Sequence, residues 1–269
     1  MASTPTILIF DSGLGGLTVH SAVVKARPDA RYIYVADDAF FPYSARHEDD
    51  LVARVVALMG ELVEAHRPDL VVIACNTAST LVLPQLRARF EGPFVGTVPA
   101  IKPACAASTS KLVSVLGTDA TVSREYTRAL IRDFSNGSEV TLVGSARLAG
   151  YAEAELKGTP ALDAAIAAEI APCFVARDGR RTDTIVLACT HYPLLRQRLE
   201  RLAPWPAAFL DPAPAIARRV LELLGPPKSL GPPRDDVAPP ARIVFTSGRP
   251  PGTTLAAALA GYGLGGPPG

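Results

Sequence analysis

Short apolar runs alternate along this chain with amphipathic stretches, a pattern typical of α/β proteins. Apolar runs such as 6–10 and 31–36 contain many β-branched residues and are too short for helices, so they predict buried strands. Between the runs, apolar residues recur at helical spacing, as in 47–66, where they occupy positions 51, 52, 55, 56, 59, 62 and 63. This alternation predicts parallel sheets that are covered by helices on both faces.

The alternation restarts after residue 97, which predicts two lobes. The last predicted strand, at 242–246, would return to the first lobe. We therefore predict an α/β fold with two similar doubly wound lobes, the first formed by 1–97 and 207–269 and the second by 98–206. Their sheets are expected to be mainly parallel, with the active site in the cleft between the lobes.

Two stretches are near-copies of each other and carry the candidate chemistry. Residues 70–77 read LVVIACNT and residues 184–191 read TIVLACTH, so each is a predicted strand that ends in Ala-Cys before a helix. A thiol at such a junction lies near backbone N–H groups and the positive end of a helix dipole, and both favour the thiolate. A lone cysteine there is usually a small buried hydrophobic residue. Two in matching contexts favour a pair of acid/base thiols, Cys75 and Cys189.

Further polar side chains gather where predicted strands end, which is where open α/β sheets bind ligands. For Asp11 and Ser12, helix capping and a functional role are equally supported. His191 follows Cys189 by two residues, so an acid/base role is favoured over a core or capping one, and Cys-x-His alone is a weak zinc signal. Glu153, judged by its neighbours alone, fits a solvated helix face.

Composition narrows the classes of function. Hydrophobic residues make up 48% of the 269, and a net charge of +1 does not suggest a nucleic acid or a membrane as the main partner. The first residues lack a basic region ahead of a hydrophobic one, and no run is long enough to span a membrane, so a cytoplasmic protein is expected. Four cysteines without short spacing fit reduced thiols, and Cys105 and Cys173, which lack polar neighbours, are predicted to be buried hydrophobic residues.

Two other segments have simple interpretations. Residues 13–18 fit a dinucleotide loop only loosely, because Thr18 stands where the third glycine should be, so no nucleotide cofactor is expected. Residues 225–240 are dense in proline and are predicted to form an exposed loop.

Several short motifs follow one another along the chain: DSGLGG at 11–16, Pro42-Tyr43, ACNTA at 74–78, VPAIKP at 98–103, CTHYPL at 189–194 and FTSG at 245–248. Together they resemble the glutamate racemases of the cofactor-independent aspartate/glutamate racemase superfamily. Three positions depart from the usual motifs of that family, namely Ser44, Ala120 and Ala188.

This resemblance implies racemisation of glutamate by two thiols, without pyridoxal phosphate or a metal. The reaction would supply D-glutamate for peptidoglycan. Cys75 would act on D-glutamate with help from Asp11, and Cys189 on L-glutamate with help from His191 and Glu153. The residues expected to hold the substrate are Asp11, Ser12, Tyr43, Ser44, Asn76, Thr77, Thr118, Thr121, Thr190 and His191. The resemblance also leaves open a homodimer and an effector among the cell-wall precursors.

Three alternatives remain open at this point. The first is a racemase of the same superfamily for another substrate, such as aspartate or a hydantoin. The second is a non-catalytic, two-lobed binding protein for an acidic metabolite. The third is a redox dithiol, in which Cys75 and Cys189 would form a disulfide under mild oxidation.

Overall fold

A computed structural model describes residues 4–227 and 241–265, which divide into two compact α/β units. The first unit takes in the described residues of 1–97 and 213–269, and the second takes in 98–212. Most of the proline-dense segment predicted as a loop at 225–240 lies outside the described residues.

The first unit is built on one parallel sheet of five strands, whose bounds are β1 (Thr6–Asp11), β2 (Arg31–Ala36), β3 (Leu70–Ile73), β4 (Phe94–Gly96) and β11 (Arg242–Phe245). The strand order is β11-β2-β1-β3-β4, and every pairing is parallel. Strand β11 therefore lies at the edge of the first sheet, next to β2.

Helices cover both faces of this sheet; they are α1 (Leu17–Ala26), α2 (Glu48–His66), α3 (Asn76–Arg89), α10 (Ala213–Leu224) and α11 (Thr253–Gly261). Leu8 and Phe10 of β1 share a core cluster with apolar residues of α2 and α3. Ile7 and Ile9 point to the opposite face, because side chains alternate along a strand, and both are fully buried. This explains why the strand is apolar at consecutive positions.

The second unit contains a parallel sheet of four strands and a short antiparallel hairpin, formed by β5 (Leu112–Gly117), β6 (Glu139–Gly144), β7 (Ala176–Arg177), β8 (Arg180–Arg181), β9 (Thr184–Ala188) and β10 (Ala208–Leu210). The sheet order is β10-β9-β5-β6, and β7 pairs with β8. Its helices are α4 (Ile101–Ala107), α5 (Asp119–Val122), α6 (Glu125–Phe134), α7 (Leu148–Leu156), α8 (Asp163–Ile170) and α9 (Arg196–Leu202).

The predicted fold class, α/β with mainly parallel sheets, is confirmed, and several details are corrected. We placed 207–212 in the first lobe, but β10 pairs with β9, so this segment belongs to the second unit. Helix α4 was not predicted. Among the described residues, no helix is both long and apolar enough to cross a membrane.

Strand register brings the ends of neighbouring strands together in each unit. In the first, the Asp37 amide donates to the Asp11 carbonyl at 2.8 Å and the Ala74 amide to the Phe10 carbonyl at 2.7 Å. The residues that follow β2, β1 and β3 therefore lie side by side. In the second, Gly117 of β5 pairs with Ala188 of β9 and with Gly144 of β6. Each sheet thus presents a row of loop residues at its carboxyl edge.

Candidate active site

Cys75 is the N-cap residue of α3, and a single residue separates it from the end of β3. Its side chain is buried, and its Sγ donates to Ser12 Oγ at 3.6 Å. Ser12 comes from the loop after β1, the neighbouring strand of the sheet. The prediction that Ser12 could cap a helix gives way to a contact with the thiol.

Asp11, at the end of β1, is fully buried and organises the loop that carries Ser12. Its Oδ2 accepts the backbone N–H groups of Gly13 at 3.2 Å and Gly16 at 3.1 Å. A Cβ at Gly16 would lie 2.8 Å from the Ala74 Cβ and 3.2 Å from that of Asp11, so only glycine allows this approach. Asp11 therefore does not cap α1, whose N-cap residue is Gly16, but fixes the loop that precedes this helix.

Asn76 and Thr77, the first residues of α3, are both buried next to Cys75. Neither the amide nitrogen nor the amide oxygen of the Asn76 side chain has a hydrogen-bond partner within the described residues. A buried amide left unsatisfied costs about 1–3 kcal/mol per group. This side chain is therefore ready to bind a polar ligand.

Tyr43 and Ser44 belong to a single turn of 3₁₀-helix at Tyr43–Ala45. Ser44 is half-buried, whereas Tyr43 is buried and donates its hydroxyl hydrogen to Asp37 Oδ2 at 2.7 Å. Burial, together with the adjacent Asp37 carboxylate, raises the pKa of Tyr43 well above its ordinary value. With its hydrogen given to Asp37, the Tyr43 oxygen can act towards a ligand only as an acceptor.

Cys189 has a different type of partner. Its Sγ lies 3.9 Å from Nδ1 of His191, and Nε2 of the same ring lies 3.1 Å from Oε1 of Glu153. All three side chains are buried. The arrangement thiol, imidazole and carboxylate fixes the imidazole ring from both sides, as an acid/base relay requires.

The structure corrects the position that sequence neighbours predict for Glu153. It is 6% exposed, so the interpretation as a solvated helix face is wrong. Burial alone would raise the pKa of Glu153, but hydrogen bonds from His191 and Lys157 outweigh burial and lower it from 4.5 to about 2. The Lys157 ammonium lies 2.8 Å from Oε2, one helical turn further along the chain. Glu153 is therefore a carboxylate that is held ionised behind the imidazole.

The threonines predicted in the second unit lie at the carboxyl edge of its sheet. Thr118 and Thr121 are buried, and their hydroxyl oxygens are 2.9 Å apart. The Thr121 amide also donates to Thr118 Oγ1 at 3.2 Å, which caps α5. Thr190 is buried between Cys189 and His191 in the chain.

Cys105 and Cys173 are completely buried, as predicted. Burial raises the pKa of Cys173 to about 12 and that of Cys105 above its ordinary value, so both are thiols without acid/base use at neutral pH. In the part of the chain that the structure describes, no group of three or more His, Cys, Asp or Glu side chains could hold a metal ion.

The three departures from the family motifs are accommodated within regular structure. Ser44 lies in a 3₁₀ turn, Ala120 in α5 and Ala188 in β9. None of them adopts the left-handed backbone conformation that would favour glycine.

The sequence did not predict the residues that hydrogen-bond to the site residues Tyr43 and Glu153 or to the partners of Tyr43. The predicted site residues do not include Asp37, Arg54, Thr246 or Lys157. Arg54 lies on α2 outside the apolar positions that predict the packed face, and Thr246 follows a strand that is distant in sequence. The strand order brings Thr246 to Asp37, because β11 lies next to β2.

One unit holds a buried thiol beside a hydroxyl, and the other holds a buried thiol beside an imidazole that the ionised Glu153 contacts. Both arrangements suit proton transfer at carbon. A sequence model of the Asp/Glu/Hydantoin racemase family matches residues 18–220. The chain belongs to this family, and it is an isomerase of the amino-acid racemase class. The resemblance that its motifs suggested is confirmed.

Relatives of known name support this assignment along nearly the whole chain. The glutamate racemase of Brucella anthropi is 56% identical over 221 residues, which are 82% of this chain and 80% of that protein. That of Brucella canis is 50% identical over 259 residues, 96% of this chain and 92% of that protein. A similar fold is found in the crystal structure of Escherichia coli glutamate racemase in complex with L-glutamate and the activator UDP-MurNAc-ala. The two sequences are 38% identical, and the TM-score is 0.87 over 98% of this chain and 97% of that one.

Proposed function

We propose that this chain interconverts L- and D-glutamate with Cys75 and Cys189 as its two acid/base groups. The observation that carries the proposal is that each thiol stands at a strand end beside a different proton-handling partner. These are Ser12 for Cys75 and the His191–Glu153 pair for Cys189. The names of the relatives supply the substrate, since those of B. anthropi, B. canis and E. coli are all glutamate racemases.

The proposed reaction exchanges one proton for another at the α-carbon. The Cys189 thiolate removes the α-proton of L-glutamate, and the electron pair of the broken C–H bond stays on the substrate as a planar carbanion. The Cys75 thiol then delivers its proton to the opposite face, which gives D-glutamate and a Cys75 thiolate. The reverse reaction uses the thiols in the opposite order. The two proton transfers therefore take place on opposite faces of the same α-carbon.

The main energetic difficulty is the weak acidity of the α-carbon. Each pK unit of mismatch with the thiol adds about 1.36 kcal/mol to the barrier. Donors that are already oriented lower this cost, because they stabilise the charge that develops on the substrate carboxylate. The Asn76 amide, buried and without a hydrogen-bond partner within the described residues, is a strong candidate for such a donor. We assign Ser12, Ser44, Thr77, Thr118, Thr121 and Thr190 to the same task.

The other two proposed acid/base residues act through the thiols. Asp11, at the end of β1, assists Cys75, and its carboxylate also fixes the loop that carries Ser12. His191 assists Cys189 by exchanging a proton with it, and the ionised Glu153 stabilises the imidazolium that forms. Tyr43, which can only accept, suits the α-ammonium of the substrate, the one strong donor that glutamate carries.

A racemisation assay without added cofactor tests the proposal directly. Incubated with L-glutamate, the protein should form D-glutamate until the optical signal vanishes, and aspartate should turn over more slowly. The matched control is Cys105→Ala, which removes a buried thiol outside the site and should leave the rate unchanged. No loss of optical signal would favour a binding protein, and faster turnover of aspartate would reassign the substrate.

We further propose that the product serves peptidoglycan synthesis in the cytoplasm and that a cell-wall precursor activates the enzyme. Support comes from the E. coli structure, which was determined with the activator UDP-MurNAc-ala. Addition of UDP-MurNAc-alanine should raise kcat/KM, whereas UDP alone should not, and equal rates with both would contradict the proposal. The homodimer stays a prediction that sedimentation velocity would test.

A further inference from the structure

Asp37, directly after β2, is a buried carboxylate that receives hydrogen bonds from three separate elements of the first unit. Arg54 of α2 donates from Nη2 to Oδ1 at 2.7 Å and from Nε to Oδ2 at 3.3 Å. Thr246, after β11, donates its hydroxyl to Oδ1 at 2.6 Å, and Tyr43 donates to Oδ2 at 2.7 Å. Burial works against ionisation, but these hydrogen bonds outweigh it and lower the pKa of Asp37.

An ionised carboxylate can only accept hydrogen bonds, so Asp37 determines the direction of the Tyr43 hydroxyl. Tyr43 is 2% exposed and packs in the same buried cluster as Cys75. Without Asp37, the phenol hydrogen would be available to the Cys75 thiolate. A hydrogen bond from Tyr43 would stabilise that thiolate and weaken it as a base.

Arg54 and Thr246 determine where the Asp37 carboxylate stands. Thr246 is set in place by the sheet, since its amide donates to the Ala36 carbonyl at 3.0 Å. Its hydroxyl also accepts the Ala39 amide at 3.3 Å, so it connects β11 with the loop that follows β2. Arg54 is 36% exposed, so its charge is partly solvated, whereas Asp37 is completely buried. Oδ1 of the carboxylate therefore accepts from both a cation and a neutral hydroxyl, and Oδ2 accepts from Arg54 and Tyr43.

We infer that Arg54 and Thr246 are positioning residues for the racemisation: they hold Asp37 so that Tyr43 presents its oxygen, and not its hydrogen, beside Cys75. This inference rests on the proposed function. It assigns a role in the reaction to the strand that returns from the end of the chain, although that strand carries none of the predicted site residues.

Replacement of Thr246 separates this role from a merely structural one. Thr246→Val keeps the shape of the side chain but removes the hydroxyl, and kcat/KM should fall about tenfold, the usual effect of losing a hydrogen bond to a charged group. Thr246→Ser keeps the hydroxyl and should restore most of the activity. Ser247→Ala is the matched control, because Ser247 bonds the neighbouring Asp38 through its hydroxyl at 2.5 Å. This control should stay within about twofold of the wild type.

A double-mutant cycle tests whether Thr246 acts through Tyr43. In a Tyr43→Phe background no hydroxyl remains to be oriented, so Thr246→Val should lower kcat/KM by less than about twofold. An equal tenfold loss in both backgrounds would show a structural role and overturn the inference. Failure of Thr246→Ser to restore activity would also overturn it.

A second cycle serves if Tyr43→Phe is too slow to assay. Arg54→Met and Thr246→Val act on one carboxylate, so the loss in the double variant should be smaller than the product of the two single losses. A loss equal to that product would contradict the inference. A wild-type protein that does not racemise glutamate would refute the proposed function, whereas an active wild type with an unaffected Thr246→Val would refute only the positioning role.

Discussion

The two units present the same type of thiol in different surroundings. Cys75 and Cys189 each follow a buried parallel strand and each precede a helical turn. Cys75 has a neutral hydroxyl at 3.6 Å, whereas Cys189 has an imidazole at 3.9 Å backed by a carboxylate. The unit with Cys189 therefore connects a thiol, an imidazole and a carboxylate, whereas the unit with Cys75 has the hydroxyl of Ser12 on a loop that the buried Asp11 carboxylate fixes. The thiols correspond to each other, but their partners do not.

The largest expected effect comes from the thiols, where the units are alike. Cys75→Ser and Cys189→Ser should each lower kcat for racemisation about 10³-fold or more, because a serine hydroxyl is a far weaker acid than a thiol. Chiral chromatography of the products measures this, with Cys105→Ala as the control. Near-full activity of either serine variant would contradict the two-thiol scheme.

Removal of the imidazole should show where the units differ. His191→Asn should lower kcat/KM about 10²-fold, the usual contribution of a general acid/base. Because the two enantiomers have equal free energies, kcat/KM must fall by the same factor in both directions. The difference between the two thiols should therefore appear in the isotope effects. The primary isotope effect should grow for α-deuterated L-glutamate, whose proton Cys189 removes, and shrink for α-deuterated D-glutamate. Equal changes in the isotope effect for both enantiomers would contradict the claim that His191 assists only Cys189.

Glu153 should affect stability as well as rate. Its pKa is lowered from 4.5 to about 2, so its ionised form should contribute about 3 kcal/mol to folding at neutral pH. That contribution is complete above pH 4.5 and is lost as the pH falls towards 2. Glu153→Gln should therefore unfold more easily at pH 7, and the difference from the wild type should shrink below pH 4.5. Thermal unfolding across this range checks it, and a gap that does not depend on pH would contradict it.

The smallest effect is expected at Lys157, whose ammonium is 52% exposed. Exposed ion pairs contribute only about 0.2–1 kcal/mol, so Lys157→Met should lower kcat/KM by less than about fivefold. The loss should be smaller at high salt, because salt already screens the pair. Arg219→Met, which breaks the exposed Arg219–Glu222 pair, is the control and should have no effect on the rate.

Local patterns predicted the strands, the long helices and both thiols, because each depends on residues that are close in the sequence. The strand end at Cys75 and the buried face of α2 follow from short-range periodicity. The role of Glu153 could not be derived this way, since its burial comes from the packing of α7 next to the turn after β9. Asp37 and Thr246 meet only because β11 adds to the sheet beside β2. A pairing between the two ends of the chain leaves no local signal.

One isotope measurement tests the central claim, that two different thiols handle the proton on the two faces of the substrate. The enzyme is incubated with L-glutamate in deuterated water, and both enantiomers are recovered at low conversion. The D-glutamate formed should carry deuterium at the α-carbon, while the remaining L-glutamate should keep its protium. If the D-glutamate retained the original proton, a single group would be moving it between faces, and the two-thiol account would be wrong.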